Sequence, residues 1–140
     1  MDDAAANGTS NQTGALEDRM SLICLSGGGI VVKLAAALTL SWTHSVEKVK
    51  WEEDWRAHPA GIAIVESRVR GSGAGMEPPP GAKLKDGFYS YRPHWVPQKE
   101  IVLRRSGATA DWNVCISGTC KPMGDYLPAN ADPVTLSLCK

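Results

Sequence analysis

The sequence predicts an all-β domain, an antiparallel sandwich or small barrel of eight to nine short strands. Three observations carry that reading. Apolar and polar residues alternate in short runs, which is the strand period. The 14 glycines and 9 prolines fall mostly between those runs, where turns belong. No stretch holds the 3.6-residue apolar period long enough for an amphipathic helix.

The elements follow in order. Residues 1–19 are small, polar and acidic, and read as a disordered extension ahead of a single β domain spanning 20–140. Residues 21–25 and 30–34 are apolar runs split by Ser26-Gly27-Gly28-Gly29, a hairpin signal. In the next run Leu38, Leu40, Trp42 and His44 alternate with Thr39, Ser41, Thr43 and Ser45, an apolar face backed by hydroxyls. A second row, Val49, Trp51, Glu53, Trp55 and Ala57, backs onto the charged Lys50, Glu52, Asp54 and Arg56. A helical reading, with Trp51 and Trp55 four apart, explains that charged face less well. A tight turn over residues 45–48 pairs Trp42 with Trp51 and His44 with Val49. Residues 61–70 form a strand with Glu66, Arg68 and Arg70 on its outer face. Gly71-Ser72-Gly73-Ala74-Gly75 then interrupts, and Pro78, Pro79 and Pro80 make a stiff connector. Strands over 87–92, 99–105, 111–116 and 133–139 complete the count.

Glu53 breaks the pattern, because a carboxylate stands where an apolar residue belongs. Losing its hydration is expensive, so it needs a partner or a use. One reading pairs it with Arg68 or Arg70. The other makes it an acid–base partner of His44, but a simple hairpin puts the two about 13 Å apart at ~3.3 Å per residue. Glu47 is nearer to His44 but sits in the turn. The glycine loop can present backbone N–H groups to an anion, or simply be a wide turn. No Gly-Lys-Ser/Thr follows it, so it is no phosphate-binding loop of the ATPase kind. Tyr89, Tyr91, Arg92, His94 and Trp95 gather in one segment, fit either to stack on a ligand or to cover the end of a sheet.

Fifteen basic and fifteen acidic residues leave the net charge at zero, with no basic patch for nucleic acid. No run of about 18 apolar residues predicts a membrane span. Asp2 and Asp3 stand where a secretory leader is basic, so the chain reads as cytoplasmic, with the periplasm as the alternative; translation starts at Met1 or at Met20. The cysteines at 24, 115, 120 and 139 lack the doubled spacing of a zinc site. A hairpin turning at Ser117-Gly118 sets Cys115 opposite Cys120, within disulfide range. In a cytoplasmic chain the pair is expected as thiols. No serine elbow, HExxH or calcium loop occurs. No cofactor, metal ligand set or catalytic residue is assigned.

The stretch T-L-S-W-T-H-S-V-E-K-x-x-W-E-E-D-W, followed by V-R-G-S-G-A-G-M-E-P-P-P-G, resembles a bacterial family known as a domain of unknown function. Its genes often stand beside those of TRAP-type solute transporters of the TAXI class. The likeness runs from about Met20 to the C-terminus. It implies a role near the uptake of small carboxylic solutes. It marks His44, Ser45, Glu47, Glu53, Gly73, Gly75 and Met76 as candidate ligand-binding residues. The expected function is a non-enzymatic accessory or ligand-binding module, its partner a TRAP transporter component or a small carboxylate. The alternative is a small metal-assisted or acid–base enzyme using His44 with Glu47 or Glu53, and His94 as a further group.

Overall fold

A computed structural model describes residues 21–43, 49–70, 81–106 and 110–140. Its strands are β1 (Ile23–Gly27), β2 (Ile30–Ala35), β3 (Ala37–Thr43), β4 (Lys50–His58), β5 (Gly61–Arg70), β6 (Lys83–Lys85), β7 (Phe88–Tyr91), β8 (Glu100–Leu103), β9 (Asn113–Ile116), β10 (Thr119–Pro122) and β11 (Val134–Leu138). One 3-10 turn, Met123–Asp125, precedes β11. The predicted strands are all present, β10 is the return strand expected opposite Cys115, and the short β6 joins them. β6 escapes a sequence reading because every one of its residues is exposed, so it carries no apolar stripe. The expectations for residues 1–19 and for the turn after β3 lie outside the described residues.

The strands form two antiparallel sheets, ordered β2-β1-β11-β8 and β10-β9-β3-β4-β5-β7-β6. Neither closes on itself, so the fold is sandwich-like and not a barrel. Ile23 and Leu25 of β1 with Val134 and Leu136 of β11 supply one side of the core. Leu38, Leu40, Trp55, Ile62 and Val114 supply the other. Met123, Leu127 and Ala131 add to the same buried cluster from the 3-10 turn and the loop after it. Leu25, Leu40, Val114 and Leu136 are wholly buried.

Alternation predicts the β3–β4 register, and Trp42 does face Trp51. The β4–β5 register holds a surprise. Trp55 pairs with Ile64, but Asp54 pairs with Glu66, so β5 bulges at Val65. Without the bulge, Glu53 would face Glu66. With it, Glu53 faces Ser67. A bulge of this kind re-aims every side chain beyond it.

All four cysteines are bonded, Cys24 to Cys139 and Cys115 to Cys120. This corrects the expectation of thiols. Register explains both bonds. Cys115 and Cys120 are direct cross-strand partners. Cys24 faces Ser137, and Cys139, two residues on, donates its N–H to the carbonyl of Leu22 at 2.8 Å.

Candidate functional site

The outer face of the seven-stranded sheet is charged and internally satisfied. Arg68 donates to Glu52 Oε1 at 2.8 Å, to both oxygens of Asp54 at 2.8 Å, and to Glu66 Oε1 at 2.6 Å. Arg68 holds the Asp54 carboxyl below the ordinary carboxylate range, helped by Thr39 Oγ1, which donates to it at 2.7 Å. Arg70, on the same face, lies over the Phe88 ring at 5.3 Å. Arg68 and Arg70 are thus on the opposite side of the sheet from Glu53. The predicted Glu53–arginine pair does not form, because the bulge at Val65 brings Ser67 to the face of Glu53 and sends Arg68 to the other.

Glu53 points inward. One row crosses five strands on that face, running Val114, Leu40, Glu53, Ser67, Tyr91. It is wholly apolar and buried at Val114 and Leu40, then turns polar at Glu53 and Ser67. The four-stranded sheet is three strands narrower than its partner and cannot roof this whole face. A pocket of about 710 Å³ opens over the polar end of the row. Glu53 and Ser67 line it from the strands. Tyr91, Arg92, His94 and Trp95 line it from the end of β7 and the segment that follows.

That segment is pinned in place. Ile62 and Gln98 exchange backbone hydrogen bonds of 2.7 and 2.9 Å. They can do so because Gly61 has no side chain. A Cβ there would stand 2.2 Å from the Gln98 carbonyl oxygen, and Gly61 sits at φ +143°. The segment between β7 and Gln98 carries Trp95, whose ring centroid lies 6.4 Å from that of Trp55.

From the core, Trp55 Nε1 donates to Glu53 Oε1 at 3.2 Å. Burial raises the Glu53 carboxyl above its ordinary range, and the indole bond offsets this only in part. Ser67 is 2% exposed and lines the pocket beside Glu53. Two residues before Glu53, Trp51 stacks on Trp42 at 6.0 Å, and its buried indole N–H is without a partner. Arg92 and His94 form no ion pair among the described residues and are exposed at the pocket.

Of the seven candidate ligand-binding residues that the resemblance marks, Glu53 is the one the described structure places in this pocket, and His94 of the alternative reading lines it too. His44, Ser45, Glu47, Gly73, Gly75 and Met76 lie outside the described residues. Gly81, the first described residue after that second gap, lines the pocket. Cys115 and Cys120 sit elsewhere, on the β9–β10 hairpin. Among the described residues no three His, Cys, Asp or Glu side chains gather as a metal site. The residues the sequence did not deliver are Ser67, hidden by the bulge, and Trp55, which reads as core. The Tyr91–Trp95 segment was legible as an aromatic and basic cluster, though not as the wall over Glu53.

Fold and pocket together define a class: a two-sheet antiparallel β domain with a carboxyl-floored, aromatic-walled pocket on its wider sheet. The chain belongs to the family described as a domain of unknown function, DUF1850, whose model matches residues 38–123. The match takes in nearly all of the wider sheet and every lining residue named above. No curated protein and no solved structure matches the chain. Among the described residues no helix is long and apolar enough to cross a membrane.

Proposed function

We propose that the chain is a non-enzymatic binding module whose Glu53 pocket takes a small carboxylic solute, working beside a TRAP-type uptake system. One observation carries the binding reading. A carboxyl and a hydroxyl occupy inward strand positions that the fold otherwise fills with apolar groups, and both residues line one open pocket. Polar groups left half-satisfied in a concave, partly aromatic site are what a ligand completes. Arg92 and His94 supply donors for a carboxylate, Arg92 through its planar fork. Trp95 and Tyr91 supply apolar contact area. The link to a transporter rests on the family resemblance. The two disulfides favour an oxidising compartment, such as the periplasm, where a partner of solute uptake would work.

Calorimetric titration of the full chain with acetate, butyrate and succinate tests the pocket. Saturable binding is expected, weakened about tenfold by Arg92→Ala, a loss of ~1.4 kcal/mol. No saturable heat with any of the three would sink the pocket reading. Co-purification from membranes with TRAP transporter subunits tests the association separately. Recovery without them would remove the partner and leave the pocket standing.

A further inference from the structure

The floor of the pocket carries more information than a carboxylate needs. Glu53 Oε1 accepts the Trp55 indole at 3.2 Å, while Oε2 has no hydrogen bond among the described residues. Across the β4–β5 ladder stands the Ser67 hydroxyl, on a residue that lines the same pocket. Directly opposed strand residues hold their Cβ atoms about 4.5–5.5 Å apart, so one small group can touch both. An alkyl tail laid there would strip water from both groups and give nothing back. Leaving a buried donor or acceptor unmade costs roughly 1–3 kcal/mol.

A ligand hydroxyl fits both at once. It donates to Glu53 Oε2 and accepts from Ser67 Oγ when Glu53 is ionised. It accepts from Glu53 and donates to Ser67 when Glu53 is protonated. Either protonation state therefore closes the same pair of bonds. A cationic ligand would suit Glu53 alone, but it would have to pass beside Arg92 and would leave Ser67 unused.

We propose that the pocket selects hydroxy-carboxylates, with the hydroxyl on Glu53 and Ser67 and the carboxylate at Arg92 and His94. This rests on the carboxylate reading above and narrows it to a chemical class, with Ser67 as the residue that sets the preference. Sites built to bond a hydroxyl reject analogues that lack it far more strongly than apolar pockets reject an extra methylene.

The test titrates the full chain with butyrate and with 2-, 3- and 4-hydroxybutyrate, one carbon skeleton with the hydroxyl moved along it. At least one hydroxy acid is expected to bind tenfold or more tighter than butyrate. Ser67→Ala should cut that ratio to about threefold or less. If the variant fails to fold, the wild-type ratio alone decides. Butyrate binding as tightly as every hydroxy acid overturns the inference and leaves the carboxylate pocket intact. No binding by any of the four overturns both. Tetramethylammonium binding in their place would also overturn both, since it would make Glu53 a cation site.

Discussion

A carboxyl group flanked by tryptophans at two residues on either side survives on an inward sheet face only if that face has a use for it. Glu53 is such a group, and its break in the apolar alternation makes it visible in the sequence. Its partner Ser67 is not visible. Simple hairpin counting places Glu66 opposite Glu53, and only the bulge at Val65 moves Ser67 into place. The arginine pairing expected for Glu53 failed through the same bulge, which sends Arg68 to the other face. The raised Glu53 carboxyl has a consequence for stability. Its folded value lies above the unfolded one, so ionising it costs stability as pH rises through that folded value. Glu53→Gln removes that cost. The variant is expected to melt near the wild-type temperature at about pH 4 and higher at pH 7. A variant that melts lower than wild type at pH 7 would show that the charge is stabilised by its surroundings.

The elements that matter most for the pocket are held by short, specific ties. Gly61 lets the Gln98 backbone reach β5, and so keeps the Trp95 segment over Glu53. Gly61→Ala adds a Cβ where none fits, at a backbone angle that L residues avoid. A destabilisation of about 3 kcal/mol is expected, with loss of ligand binding in whatever remains folded, measured by denaturant melts and titration. The loops beside the 3-10 turn depend on Arg105, whose side chain is 5% exposed. It donates to Asp111 at 3.1 and 2.6 Å and to the carbonyls of Pro128 and Ala131 at 2.5 and 3.0 Å. Arg105 depresses the Asp111 carboxyl, so this tie is fully present above the ordinary carboxylate range and is lost as pH falls below about 4. Arg105→Ala should cost ~3 kcal/mol at neutral pH and flatten the acid limb of the stability profile, as read by urea melts from pH 3 to 7. Nothing in the sequence marks Arg105 for this role, because its partners come from residues 111, 128 and 131. The strands themselves were legible wherever an apolar stripe existed; β6 was not because it has none, and β10, equally exposed, was legible only through Cys120 and its turn.

At the scale of the whole molecule, alternation and turn residues were enough to give two-sheet β architecture, and the Cys115–Cys120 pairing followed from hairpin register. The Cys24–Cys139 bond did not, since its partners are 115 residues apart and meet only once β1 and β11 pair. Loop-closure entropy makes the two bonds unequal. Replacing Cys24 and Cys139 with serine should cost about 4–5 kcal/mol, against about 2 for Cys115 and Cys120, whose separation is 5. A pair whose replacement leaves the melting temperature unchanged would be a bond that is absent in solution, and equal losses would contradict the loop-closure account. The pocket forms where the wider sheet outruns the narrower one, under a segment tied down at Gln98. That placement makes a spatial claim that one measurement tests directly. A ¹H–¹⁵N correlation spectrum is recorded while 2-hydroxybutyrate, or whichever hydroxy acid binds tightest, is added. Saturating shifts are expected at Glu53, Ser67, Tyr91, Arg92 and the Trp55 and Trp95 indoles, with the Arg68 face and the β9–β10 hairpin unmoved. Shifts centred on that outer face, or a spectrum that does not change, would contradict the account.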